Sequence, residues 1–579
     1  MVVGEYKKSE IIDYIVVGMA VIGLWIVVGP KFPTNDDYGL MSILAGYKSG
    51  TPTAVPFYCE YLYAVIISGL YRITDIIPWY IIVLMTLMLI NCLCLFYTIR
   101  KLVKESSLKC FDRFFSYFVF VSLIFGLYFF NLIYITYSVV PAVCGCSAIL
   151  LILTIKKGDT ILTNNVITGI VLGLFFFAWN IRMQSGYVVL ISLIFAITYS
   201  CYEKNMKYQR VLFLIIGIIA IAMISLYVNW QAGIGNGWND FASFYDACGK
   251  YTDYTHLTYE EAPDIYQSIG WNQELYCLVN KWFFMDKRID YNSFSTLNQS
   301  VATHTFYGYS SRRALLAGMC SLFKVSSLWI RLLLALWVIT IIVVFIFKLI
   351  MHEKKSELKD VCEALLFLLI GGVLISYLLM QGRFLDRAVY PVMFCTMIPS
   401  FFLCLKIVIC SNIRNIGKEK YSNKYKNIFF SFHIFIVIAF IAFSIVGLTT
   451  SSWKKYNPKS CQTKKMLEQY VMDNDDYFYI NDISLTMPGD PFTVYSSKKP
   501  TNYTFWGGTF LKSPLYYEQI KMYGFDDFSR SDLIRDNVRF ISCSGPDDDL
   551  FEYMREEFPN CEVEITDKTS DFIIYRFIE

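Results

Sequence analysis

Residues 11–38 read IIDYIVVGMAVIGLWIVVGPKFPTNDDY: an apolar run from Ile11 to Val28, a stop at Gly29-Pro30, and an acidic pair, Asp36-Asp37, behind Asn35. As a helix the run rises roughly 27 Å, close to the thickness of a bilayer's hydrocarbon. It ends without a small-residue cleavage site, so it is expected to stay as a helix and not to be removed as a signal peptide. The first span thus delivers two carboxylates to a membrane surface, where they can act on lipid-anchored molecules.

Composition sets the class. Of 579 residues, 55% are hydrophobic, 17% aromatic and only 17% charged, with a mean hydropathy of +0.45. That is more apolar matter than soluble cores of this size bury, so the chain reads as a multi-pass membrane protein. A net charge of +3 gives no reason to expect nucleic acid as a partner. No solenoid-type repeat or low-complexity tract is evident.

Apolar windows predict about eleven transmembrane helices, at 11–29, 78–99, 113–130, 138–155, 161–179, 187–201, 211–230, 326–349, 361–379, 388–409 and 427–449. Basic residues cluster in alternate loops: Arg100, Lys101, Lys104, Lys109 and Arg113, then Lys156 and Lys157, then Lys204, Lys207 and Arg210. Lys348, Lys354, Lys355 and Lys359 continue the pattern, as do Arg414, Lys418, Lys420, Lys424 and Lys426. The positive-inside rule puts these loops and the N-terminus in the cytoplasm, and the other set outside the plasma membrane.

Residues 57–74 are apolar enough to make a twelfth span, which would invert the start of the chain. An interfacial helix is the alternative. Glu60 lies inside the segment, where an ionised carboxylate in lipid costs on the order of 2.5–3.5 kcal/mol, and Tyr58, Tyr61, Tyr63 and Tyr71 suit the headgroup level.

The expected organisation is a transmembrane domain, 1–449, with external loops 30–77 and 231–325, followed by an extracytoplasmic α/β domain, 450–579. Helices are expected at 37–48 and 57–74. In the tail, short β-rich runs at 477–480, 538–541, 561–565 and 572–575 alternate with helical stretches near 463–472 and 547–557.

Asn35-Asp36-Asp37, Pro78-Trp79-Tyr80, Asp253-Tyr254, Asp286, Gly382-Arg383 through Arg387, and Trp506-Gly507-Gly508 with Ser513-Pro514 are similar to a group of largely uncharacterised bacterial multi-pass proteins. The whole layout resembles the GT-C class of polyprenol-phosphate-dependent glycosyltransferases. That resemblance implies a polytopic α-helical, GT-C-like fold with a small C-terminal α/β domain. It also implies inverting transfer of a sugar from a polyprenyl-phosphate donor to a cell-envelope glycan or lipid acceptor.

Such chemistry needs a carboxylate to take the acceptor's proton, for which Asp36 and Asp37 are the candidates. Their mutual repulsion can raise one pKa. Asp36 as the N-cap of a helix beginning at Tyr38 is the structural alternative. A Mg or Mn ion at Asp36 and Asp37 is a further possibility, since hard cations accept carboxylates plus substrate phosphate.

The candidate substrate-binding residues are Asn35, Glu60, Arg182, Asp253, Tyr254, Asp286, Arg383 and Arg387. Arg182, Arg383 and Arg387 suit a lipid phosphate because a guanidinium binds phosphate oxygens bidentately. Equally, each Arg can snorkel or pair with an acid such as Asp386. Asp240, Asp246, Asp253, Tyr254, His256, Trp271 and Asp286 offer aromatic faces and carboxylates to a sugar.

No Cys-x-x-Cys occurs among the 17 cysteines, which argues against structural zinc, and no nucleotide-binding fingerprint appears. Cys461, Cys543 and Cys561 leave room for one disulfide. A transporter or flippase of lipid-linked sugars and a non-catalytic envelope assembly protein stay open as alternatives, although the spans are poor in the ionisable residues that transporters use.

Overall fold

The chain is described by a computed structural model that covers residues 2–104, 112–156, 159–203, 205–253, 256–301, 328–350, 358–380, 386–414, 458–508 and 510–579. Its helices are α1 (Val2–Val28), α2 (Asn35–Leu44), α3 (Tyr61–Ile73), α4 (Trp79–Lys104), α5 (Asp112–Leu123), α6 (Phe129–Ile133) and α7 (Val140–Thr154). There follow α8 (Ile161–Ile181), α9 (Met183–Tyr202), α10 (Tyr208–Gly233), α11 (Trp238–Asp253), α12 (Pro263–Ser268), α13 (Gln273–Asn280) and α14 (Tyr291–Val301). The last are α15 (Leu328–Ile350), α16 (Leu358–Met380), α17 (Asp386–Arg414), α18 (Pro458–Asp473), α19 (Pro514–Lys521), α20 (Arg530–Leu533) and α21 (Asp548–Arg555).

Among the described residues, seven helices carry segments long and apolar enough to cross a membrane: Glu10–Val28, Trp79–Lys104, Ile161–Ile181, Met183–Tyr202, Tyr208–Gly233, Asp360–Leu378 and Arg387–Ile407. The span expected at 113–130 is helical throughout, from Asp112 to Ile133, with one π turn at Ile124–Tyr128 joining α5 to α6. The one expected at 427–449 lies outside the described residues. Within the bundle every residue of α7 is buried. Small side chains let its neighbours close in: a Cβ on Gly145 would sit 2.1 Å from Val189 of α9, the close approach typical of membrane helix pairs.

α3 has 13 residues, about 20 Å of helix, which falls short of a bilayer crossing. It starts at Tyr61 and not at 57, so Glu60 stands at its N-terminal boundary, with the Glu60 N–H bonded to the Asn180 carbonyl at 2.9 Å.

The tail forms a five-stranded sheet from β1 (Phe478–Asn481), β2 (Tyr503–Phe505), β3 (Val538–Ser542), β4 (Glu562–Lys568) and β5 (Ile573–Ile578). The spatial order is β2-β1-β3-β5-β4. β2, β1 and β3 run parallel, while β5 is antiparallel to both β3 and β4. Side chains alternate along β1. Tyr479 joins Leu467 and Val471 of α18 on one face, and Phe478 and Ile480 face the other way.

That second face is not closed by the tail alone. Trp271, Leu275, Phe283, Phe284 and Phe294, all from the loop after α10, share one buried cluster with Phe478, Ile480, Phe540 and Phe577. The large loop and the tail domain therefore have a common apolar core. One backbone bond seams them, from the Phe284 N–H to the Trp506 carbonyl at 2.8 Å, and Trp506 is itself tied to the end of β1 by its N–H to the Asn481 carbonyl at 2.9 Å. Cys461, Cys543 and Cys561 are all free, so the disulfide they could have formed is absent.

Gly507 sits in this seam with no room to spare, since a Cβ there would fall 1.5 Å from the Trp282 carbonyl oxygen. Gly507→Ala should displace the loop from the domain at a cost of roughly 1–3 kcal/mol or more, read as a lower Tm and faster proteolysis within 256–301. Gly249→Ala, where nothing lies within 4 Å, should leave both unchanged.

Candidate active site

The acidic pair is positioned by three local features. Gly29, at φ +73°, ends α1 in the left-handed region that glycine adopts without penalty. The chain then pairs in parallel with the segment before α7: Lys31 N–H donates to Ile133 O at 2.8 Å and Ile135 N–H to Lys31 O at 3.1 Å. Thr34, extended at φ −136°, ψ 160°, is the N-cap of α2. The helix thus begins at Asn35 and not at Tyr38, and Asp36 is not its cap. Both carboxylates lie in the first turn, where the helix N-terminus favours negative charge.

Asp37 is fully buried. It accepts the Tyr137 N–H at 2.8 Å and the Tyr80 hydroxyl at 3.0 Å on Oδ1, and the Thr34 hydroxyl at 3.5 Å on Oδ2. Burial raises its pKa to about 7, against the lowering effect of the Tyr137 N–H and the hydroxyls of Thr136 and Tyr80.

Successive helical residues diverge by about 100°, so with Asp37 held inward Asp36 turns elsewhere. It lines a cavity of about 420 Å³ enclosed by α2, Tyr58, Asp253, Trp282, Arg387 and the 503–508 segment of the tail domain. Asp36 Oδ2 is 2.6 Å from Arg387 Nη1. Lys48 and Lys464 line the same cavity, with Tyr503, Trp506, Gly507 and Gly508. Tyr58 (φ 66°) and Trp282 (φ 65°) are two of the three non-glycine residues at positive φ among the described residues. Strain of that kind, roughly 1–3 kcal/mol each, concentrates at functional sites.

Of the residues singled out from sequence, Asn35, Asp36, Asp253 and Arg387 line this one cavity, although they come from α2, α11 and α17. Arg182 lies close by, in the break between α8 and α9. It donates to the Ser138 hydroxyl at 2.7 Å and stacks over the Tyr137 ring at 4.9 Å. Glu60 lies outside the lining. It is buried, burial raises its pKa to about 7, and its Oε2 has no hydrogen-bond partner.

Asp286 does not belong to the site. It accepts from Arg288 Nη2 at 2.8 Å and the Tyr553 hydroxyl at 2.7 Å. Burial would raise its pKa, and these bonds outweigh that and hold it low. Its role is to pin the loop to α21. His256 stacks on Tyr251 and Trp271 donates to Arg288 O at 3.0 Å, both as parts of the loop's core. Tyr254 and Arg383 lie outside the described residues.

A resident divalent ion does not fit the pair. Arg387 already supplies the positive charge beside Asp36, Asp37 is buried and turned onto the Tyr137 N–H and the Tyr80 hydroxyl, and among the described residues there is no group of three or more His, Cys, Asp or Glu able to hold a metal. Sequence reasoning missed Lys48, Lys464, Tyr58 and Tyr137. Only the placement of Lys48 at the end of an apolar stretch, just before Gly50-Thr51-Pro52, was a visible signal.

No protein-family profile and no curated protein matches the chain. Two crystal structures of ArnT from Cupriavidus metallidurans align over 98% of this chain and 98% of that one. The one bound to undecaprenyl phosphate has 9% identity and a TM-score of 0.40, and the apo one has 10% and 0.42. Scores that low are too loose to place a residue of one chain on the other.

The raised pKa of Asp37 has a measurable consequence. The folded chain holds this proton more tightly than the unfolded chain, whose carboxyl titrates at its ordinary 3.8. Between about pH 4 and 7, unfolding therefore releases a proton, and stability falls as pH rises, by roughly 4 kcal/mol at most. Asp37→Asn should flatten this dependence. In thermal denaturation at pH 5 and pH 8, its Tm should drop less than that of the wild type, with a residual slope from Glu60.

Proposed function

We propose that the chain is an integral membrane glycosyltransferase of GT-C type, transferring a sugar from a polyprenyl-phosphate donor to a cell-envelope glycan or lipid at the outer face of the plasma membrane. The observation that supports this most is the Asp36–Arg387 pair, at 2.6 Å, in a cavity between the membrane helices and the tail domain.

In this proposal Asp36 is the general base. An acceptor hydroxyl gives its proton to the Asp36 carboxylate as its oxygen bonds the anomeric carbon. The bond from that carbon to the phosphate oxygen breaks with inversion, and polyprenyl phosphate leaves with the electron pair. Arg387 serves twice. Free, it neutralises Asp36; when the donor binds, the phosphate takes the guanidinium, for which its oxygens are well matched, and Asp36 is released to accept a proton. Arg182, beside Tyr137, adds positive charge to the same face. Asp37 is a positioning residue, because its carboxylate has no exposure to substrate. It sets the direction of Asp36 through Tyr137 and Tyr80.

Reconstituted protein supplied with a polyprenyl-phosphate hexose and envelope acceptor should release free polyprenyl phosphate. Loss of a general base costs roughly 10²–10⁴ in rate, so Asp36→Asn should lower turnover by that factor with little change in the Michaelis constant for the donor. Arg387→Gln should mainly raise that constant. Wild-type turnover in Asp36→Asn would overturn the assignment, and movement of intact donor across the bilayer without release would identify a flippase.

A further inference from the structure

The cavity has a second charged corner that the transfer chemistry does not use. Lys48, just beyond α2, and Lys464, on α18, are 8% and 4% exposed, and both line the cavity. They share one aromatic platform, with Lys48 Nζ 3.4 Å and Lys464 Nζ 4.7 Å from the centroid of the Tyr503 ring.

Among the described residues, the corner holds one carboxylate for two ammonium groups. Glu468 Oε1 is 3.6 Å from Lys464 Nζ. The same carboxylate already accepts hydroxyls from Tyr503 at 2.7 Å, Tyr38 at 2.5 Å and Tyr495 at 2.9 Å. Lys48 makes no ion pair among the described residues. Its one hydrogen bond among the described residues runs to the Tyr503 carbonyl at 3.2 Å; the Tyr503 ring lies against it, and no carboxylate there accepts from it. Burial and the neighbouring Lys464 together depress its pKa, the mark of a cation that its surroundings do not compensate.

Desolvating an ammonium without a counter-charge is expensive. In a cavity of about 420 Å³ the missing charge has room to be a ligand. Two single-point donors from separate segments match two oxygens of a tetrahedral anion, whereas a planar carboxylate is better met by an arginine fork. Lys48 and Lys464 gather on the Tyr503 ring beside Glu468, whereas Asp36 is held by Arg387, so the two corners are built from different residues. We propose that Lys48 and Lys464 form a phosphate subsite on the tail-domain side of the cavity. A ligand filling the cavity then carries a phosphate at this end in addition to the group that Arg387 holds.

The subsite stands on the cavity alone and is tested without any sugar donor. The full chain in nanodiscs is acetylated with an amine-reactive ester, and the modification of each lysine is followed by mass spectrometry. Inorganic phosphate should slow acetylation of Lys48 and Lys464 relative to chloride at equal ionic strength and leave the exposed Lys498 unaffected. Charge-assisted bonds of this kind make a roughly tenfold difference in affinity, so Lys48→Met should weaken protection of Lys464 by about that factor.

Protection by soluble phosphate identifies a soluble phosphorylated ligand. Protection only in discs containing phosphatidic acid, and not phosphatidylcholine alone, identifies a lipid headgroup. Either result supports the subsite. Absence of protection in both arms, undiminished phosphate binding in Lys48→Met, or loss of protection in Arg387→Gln with Lys48→Met intact would overturn it. Sugar transfer can fail while this protection holds, and the reverse.

Discussion

Asp37 receives the Tyr137 N–H and the Tyr80 hydroxyl in a site closed to solvent, and the rest of the cavity's geometry depends on that burial. Three consecutive residues of one helical turn point three ways. Asp37 points into the membrane helices, Asp36 into the cavity against Arg387, and Tyr38 onto Glu468 of the tail domain. If Asp37 were released, the turn would be free to rotate, and both the Asp36–Arg387 pair and the Tyr38–Glu468 bond would lose their alignment. The same turn is packed from the domain side, since a Cβ on Gly489 would fall 2.2 Å from the Tyr38 ring.

The second constraint is the apolar core shared by the large loop and the tail sheet. α18 covers one face of the five-stranded sheet. On the other face α19, α20 and α21 share the layer with the aromatic side chains of the loop, so the cavity's far wall is part of a packed core. This also accounts for Asp286, whose bonds to Arg288 and Tyr553 satisfy a carboxylate caught where loop and domain meet.

Much of the fold was legible because its signals are local. Membrane helices announce themselves by length and hydropathy, and the strands at 478–481, 538–542 and 573–578 by β-branched and aromatic runs. β2 was missed because it has only three residues, Tyr503 to Phe505, and owes its conformation to pairing with β1. The helix start at Asn35 was misread because Thr34 caps by its extended backbone without a side-chain bond. Asp286 was read as a binding residue because a carboxylate among aromatics looks alike in a core and in a sugar site.

What the sequence determined by itself was the membrane-embedded class, the delivery of Asp36 and Asp37 to the end of the first span, and a mixed α/β tail, since each follows from composition or from residues near in the chain. Tertiary structure alone decided which of two adjacent carboxylates is buried and which faces the cavity. It also brought Asp253, Arg387, Lys48 and Lys464 to the walls of one space. These are outcomes of packing between segments hundreds of residues apart, where the cost of an uncompensated buried charge, and not any local pattern, selects the arrangement.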